Sequence, residues 1–404
     1  MDAATPRSAD PALIPRGRSH HSTGSGGIVQ GGPGERVLSP GPRAHELSRP
    51  MDQGEAKRLG IPADLGESFR PFRLVLPIIP ASFFGVVLGL AGLAGGWRAA
   101  HLAWEFPAAV GEALFALACA VWVIVTVLYA SKWLTATSAA LAEVRHPIHC
   151  CFIGLAGVAT MVMALGALPY SRFVAQLLFA AGVTFTLAFG IWRTGLLLRG
   201  GRETELSTPI LFLPVVAGGF VTAASAAAFG WAEWAMLTFG GAFFSWLALE
   251  SVVLHRLYTG APMASALRPT LGIELAPPSV GALALLSLGN PTALFLAQLM
   301  VGYALLQALL LARLWPWVAE QPFAPSYWGL TFGATALPVA VMKMSAASPT
   351  HAFGTLGFVL FLASNGIVGL IAVRSIALLA RRWRRPKATP AGIGPDQPAP
   401  PHSA

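Results

Sequence analysis

The feature that most constrains this chain is a succession of apolar blocks, most about 20 residues long, running from about Leu76 to Leu379. Hydrocarbon offers no water to backbone amides and carbonyls, so a segment crossing it pairs them internally as a helix or within a closed barrel. The blocks are continuous rather than alternating apolar with polar, which selects helices over barrel strands. Charged residues make up only 11% of the chain, against roughly 25% in soluble domains. The fold class is therefore an all-α integral membrane protein.

About ten spans are predicted. They are Leu76 to Trp97, Ala108 to Ala130, Ile148 to Leu168, Phe173 to Trp192, Pro209 to Phe229, Trp234 to Leu254, a short seventh from Ala276 to Leu288, Thr292 to Leu314, Tyr327 to Met344, and Phe353 to Leu379. Basic residues divide the loops into two classes. Lys132, Arg145, Arg193, Arg199, Arg202, Arg256, Arg268 and Arg313 follow even spans, whereas only Arg98, Arg172 and Lys343 follow odd ones. The positive-inside rule places the first class and both termini in the cytoplasm of a bacterial inner-membrane protein, which requires an even number of spans. The expected organisation is a disordered tail over 1–70, rich in Pro, Gly and Ser, a membrane domain over 71–382, and a disordered basic tail over 383–404. Met51 opens a more ordinary start, so the first fifty residues are expected to be dispensable.

Prolines mark the odd spans: Pro77 and Pro80, Pro147, Pro209 and Pro214, Pro277 and Pro278, Pro338. Proline removes an amide donor, and hydrocarbon tolerates that only where a neighbour or a cavity satisfies the backbone. The odd helices are thus expected to form an inner ring and the proline-free even helices an outer one, as about five helical hairpins around an axis. The ionisable residues in the spans (Glu112, Glu250, Lys343 and Arg374) fall near interfaces, where anchoring explains them. No carboxylate pair is expected mid-membrane, which favours a passive route over a pumped one.

A path for anions needs no fixed charge along its length. Exposed backbone amides, helix N-termini and small residues suffice. Gly218, Gly219 and Gly333 suit such a lining, although small residues also serve helix packing. Basic residues at the mouths would concentrate anions. Lys343 is the candidate outside; Arg73, Arg145 and Arg268 are candidates inside. His146 and His149 flank Pro147 without a third ligand, and no metal site is expected. There is neither a phosphate-binding loop nor a dinucleotide fingerprint, so no cofactor is expected. No basic stripe interleaved with aromatics points to nucleic acid, and no catalytic grouping supports an enzyme.

Several stretches carry a resemblance. They are Pro80-Ala81-Ser82-Phe83-Phe84-Gly85, Phe244-Ser245-Trp246-Leu247-Ala248-Leu249-Glu250, Ala266-Leu267-Arg268-Pro269-Thr270, Arg313-Leu314-Trp315-Pro316-Trp317, and Tyr327-Trp328-Gly329-Leu330-Thr331-Phe332-Gly333. In this order they resemble the tellurite-resistance/dicarboxylate transporter family, most closely its TehA-like branch, related to the plant slow-type anion channels. The resemblance covers about Phe72 to Arg382. It implies ten helices in a pseudo-fivefold arrangement of hairpins, a homotrimer with one pore per subunit, and small inorganic or organic anions as cargo. It also implies a phenylalanine blocking the pore midway along the ninth helix, which here is Phe332. The substrate does not carry over, because members move different anions. A gated channel or facilitative transporter is the leading expectation; an ion-coupled exporter of tellurite, sulfite or dicarboxylate is the alternative.

Overall fold

The computed structural model describes residues 76–348 and 351–384. Arg73, the start at Met51 and both expected tails lie outside them, save the helical residues up to Arg384. Among the described residues ten helices are long and apolar enough to cross a membrane: Ala81–Trp104, Ala108–Thr135, His149–Ala167, Arg172–Leu197, Pro209–Ala228, Ala232–Thr259, Ser265–Leu286, Pro291–Val318, Pro325–Ala347 and His351–Arg381. No strand occurs among the described residues. This is a multi-pass, all-helical membrane protein.

The seventh span corrects the expectation of a short helix. Eleven residues of 3-10 helix, Ser265–Leu275, precede its α-helical part, Ala276–Leu286. Arg268 and Glu274 interrupt the apolar pattern there, which hid the first half of the span from a reading by hydropathy. The eighth span is a second correction, because it continues to Val318 and carries Pro316 inside its last turn. So late in a helix, a missing amide donor forfeits one bond close to the point where the ladder ends anyway.

Every odd span begins the same way. Short 3-10 stretches at Ala81–Phe83, His149–Gly154, Pro209–Phe212, Ser265–Leu275 and Pro325–Leu330 each lead into α-helix. In the fifth span a π-helical turn, Leu213–Ala217, intervenes and carries Pro214. Prolines at or just before these entries restrict the backbone and remove donors, and 3-10 and π turns accommodate the change in hydrogen-bonding pattern. Even spans run as unbroken α-helix.

Burial separates the two sets. In the central stretches of the odd spans 61–83% of residues are buried, against 22–33% in the even spans. Each odd span packs against the even span that follows it. The odd spans also pack on one another in a closed cyclic order: first, third, fifth, seventh, ninth, and back to the first. The even spans turn apolar side chains such as Ile191, Phe244, Leu309 and Val373 outward. That is how helices facing lipid present themselves.

A short helix absent from the sequence reading, Thr137–Arg145, lies between the second and third spans. It returns Glu143 to the molecule's interior, where the carboxylate accepts from the amide of Ala81 at 2.8 Å and from Lys132 Nζ at 2.6 Å. Tyr129 donates to the same carboxylate at 3.4 Å. This buried charge pair anchors the 3-10 entry of the first span.

Candidate functional site

Two cavities lie within the ring of odd spans, and residues from all five line each of them. The first, about 50 Å³, sits where the odd spans change from 3-10 to α-helix. Its walls include Ser82, Phe152, Phe212, Ile273 and Trp328, one from each odd span. The Ser326 hydroxyl on this wall is buried and has no partner within the protein. The second cavity, about 190 Å³, lies toward the ends of the odd spans, along Gly92, Gly95, Leu165, Ala224, Leu283 and Thr335.

Among the described residues only Val280 and Phe332 belong to the walls of both cavities. The Phe332 backbone is held closely. Thr331 Oγ1 donates to the Trp328 carbonyl at 2.7 Å, and Thr335 Oγ1 to the Thr331 carbonyl at 2.9 Å. Gly333 brings the ninth span against the seventh, so that a Cβ there would lie 2.7 Å from the Ala276 nitrogen. Real Cβ atoms do not approach backbone so closely, and only glycine permits this contact. The half-buried phenylalanine ring is therefore mounted on a fixed piece of backbone between two cavities.

The other expected site residues lie elsewhere. A Cβ on Gly218 would meet Thr186 Cγ2 at 2.2 Å, and one on Gly219 would meet Ala242 Cβ at 2.7 Å. These two glycines and Gly333 are absent from both cavity walls; each fits a neighbouring helix instead. Gly92 and Gly95 of the first span are the glycines that line the second cavity alongside Gly166 of the third. Lys343 donates to Ser287 Oγ at 3.2 Å and lines neither cavity. Arg145 is exposed on the short helix. Arg268 pairs with Glu320 at 2.7 Å, donates to the Trp317 carbonyl, and stacks 4.4 Å from the Trp317 ring centroid. It borders a separate apolar cavity of about 430 Å³ formed by the seventh to tenth spans alone. The His146 ring nitrogen Nδ1 accepts from the amides of Ile148 and His149, a local capping role.

Two features escaped the sequence reading. Arg98, counted there only as a loop charge, is the one charged residue on the cavity walls among the described residues. Its guanidinium bonds both oxygens of Glu112 at 2.9 and 2.8 Å, reaches the Gly166 carbonyl at 3.1 Å, and lies 4.6 Å from the Phe115 ring centroid. Tyr170 donates to the same carboxylate. The fourteen-residue separation of Arg98 and Glu112 spans the turn between the first two helices, and an opposite-charge pair at both helix ends was the available signal. The second feature corrects the expected absence of a carboxylate pair. Glu250 of the sixth span and Glu274 of the seventh are both buried and in side-chain contact.

Residues 79–376 match the family model of SLAC1, described as voltage-dependent anion channel. The chain is 32% identical over 308 residues to the tellurite resistance protein TehA homolog of Haemophilus influenzae, covering 75% of this chain and 92% of that protein. It is 26% identical over 328 residues to the guard cell S-type anion channel SLAC1 of Arabidopsis thaliana, covering 76% of this chain and 56% of the channel. An uncharacterized transporter of Methanocaldococcus jannaschii shares 24% identity over 230 residues, half of this chain and 65% of that protein.

Proposed function

This chain belongs to the SLAC1 family of voltage-dependent anion channels, and we propose that it conducts small anions through a pore within each subunit, gated by Phe332. The observation that carries the reading is that Phe332 and Val280 alone among the described residues wall both cavities. A permeating ion would pass from one chamber to the other at this point. The closed cyclic packing of the odd spans supports five hairpins in pseudo-fivefold arrangement around the pore. The nearly uncharged walls suit weak binding and fast release. The free Ser326 hydroxyl and the 3-10 entries offer polar groups to an ion shedding water. Arg98 contributes positive potential at the wider end, moderated by Glu112.

The protein assembles as a homotrimer in the bacterial inner membrane, each subunit with its own pore. Inorganic and small organic anions are the cargo class. In proteoliposomes, the reversal potential should follow the gradient of the permeant anion and stay fixed when a proton gradient is imposed. A reversal potential that tracks the proton gradient would instead establish the second reading, an ion-coupled exporter, which the tellurite-resistance name of the Haemophilus relative favours.

Both termini are cytoplasmic in this proposal. Arg199 and Arg202 follow the fourth span, and Arg172 opens it. A membrane-impermeant thiol reagent applied from the periplasm should label a cysteine placed at Ser171 and miss one placed at Gly201. The opposite pattern would invert the orientation.

A further inference from the structure

The seventh span holds a carboxyl group with nothing to answer it. Glu274 is 4% exposed, and neither of its oxygens has a hydrogen-bond partner among the described residues. Its contact is Glu250, 7% exposed, on the sixth span. Glu250, by contrast, is held by three donors: Trp246 Nε1 at 2.9 Å, the Tyr303 hydroxyl at 2.5 Å and Gln307 Nε2 at 3.2 Å. That set of donors suits a carboxylate and fixes its position. Glu274 has no donor other than a proton of its own. Two ionised carboxylates in contact away from water would repel strongly, and such pairs hold one proton between them.

Among the described residues no cation bonds either carboxyl. Arg268 is engaged with Glu320, Lys343 with Ser287, and the Tyr327 hydroxyl with the Val318 carbonyl. His255 and Arg313 point outward and are exposed. Arg256 is buried six residues beyond Glu250, about 9 Å along the helix, and bonds neither carboxyl. Tyr303 is the one further titratable group in contact, and it serves as a donor.

We infer that Glu250 and Glu274 form a proton-binding site that holds one shared proton in the described conformation, and that its occupancy sets the width of the first cavity. The link is short. Ile273 and Ala276, on either side of Glu274 and Leu275, line that cavity, and Gly333 beside Phe332 rests on Leu275 and Ala276. When the proton leaves, Glu250 stays with its three donors and Glu274 must retreat. The 3-10 segment that carries Glu274 walls the first cavity through Ile273, and in this proposal its retreat from the sixth and eighth spans is toward the axis and narrows that cavity.

Infrared difference spectra of the protein in lipid, recorded between acid and alkaline pH, test the site directly. The wild type should show the carbonyl stretch of a buried protonated carboxyl at low pH. Glu274→Gln, which supplies its own amide donor to Glu250 and keeps the shape, should lack it. Identical spectra for the two proteins would overturn the proposal. So would neutralisation by a bound monovalent cation, seen as thermal stability that depends on sodium or potassium in the wild type and not in the variant. The effect on conduction rests on the channel reading above and has its own readout. In a Phe332→Ala background, anion flux should fall severalfold as pH rises through the titration, with the reversal potential unchanged. The same background carrying Glu274→Gln should conduct equally at both ends of the range. A flux that titrates identically with and without Glu274 would overturn the coupling, whereas an absence of anion flux in every variant, with the infrared band present, would count against the channel reading alone.

Discussion

Replacing Phe332 with alanine should raise anion flux per folded protein by more than about tenfold, a lowering of the barrier by at least ~1.4 kcal/mol. The ring stands between the two cavities and offers an ion no hydrogen bond in return for lost water. Phe332→Leu should give a smaller rise, because much of the side-chain volume remains. Val280→Ala alone should change little, since the ring still fills the path. The increase should hold across chloride, nitrate and other small anions, because a steric obstruction has no chemical preference. A packing role predicts something different. Loss of a core phenyl ring costs about 3–5 kcal/mol, so yield and thermal stability would drop with no gain in flux. Flux normalised to folded protein separates these outcomes, and an unchanged flux in the stable alanine variant would remove the gate.

The sequence exposed the layout of this protein more fully than its chemistry, and the reason is physical. Spanning helices follow from hydropathy alone, because lipid imposes one rule on every segment. Inner and outer helices followed from Pro80, Pro147, Pro209 and Pro277, since a missing amide donor is tolerated only beside protein or a cavity; the buried odd spans agree. That rule has no access to direction around a helix. Gly218, Gly219 and Gly333 looked suited to a cavity wall, yet Thr186, Ala242 and the backbone at Ala276 occupy the space beside them. Gly92 and Gly95, equally plain in sequence, line the second cavity with Gly166, and Gly85 and Gly329 line the first. Charges suffered from a related limit. Arg268 and Arg98 each bring a positive charge near a helix end, but only contacts distant in sequence distinguish them. Glu320 and Trp317 engage the first outside the axial ring, while Gly166 and Glu112 hold the second on a cavity wall. Glu274 was hidden because it interrupts the very pattern used to find its helix. A polar residue reads as a loop until the structure shows that 3-10 geometry carries it inside the membrane domain. Phe332 could not have been chosen by composition or periodicity among 23 phenylalanines. Only family resemblance singled it out; the structure shows that it lines both cavities.

The second large effect should come from the Lys132–Glu143 pair. Lys132 Nζ lies 2.6 Å from the Glu143 carboxylate, with the side chains 5% and 7% exposed. Removing one member of a buried pair leaves the other charge uncompensated, which costs about 3–5 kcal/mol. Glu143→Ala should therefore lower the thermal midpoint in detergent by on the order of 10 °C, and it also takes the acceptor from the Ala81 amide. Lys132→Met should destabilise less, because Ala81 and Tyr129 still donate to the carboxylate. The double variant Lys132→Met/Glu143→Gln should recover most of the loss, since it removes both charges and leaves an amide oxygen for Ala81. Losses in Lys132→Met and Glu143→Gln that simply add in the double variant would show that the two charges act independently, contrary to their contact. The pair should matter to conduction as well as to stability. Ala81 opens the first span, and Ser82 and Gly85 immediately beyond it line the first cavity. With that entry released, flux should vary between preparations in proportion to the fraction folded. Phe332→Ala, in contrast, should change flux at constant stability, and comparing the two variants separates an effect of the gate from a general loosening of the ring.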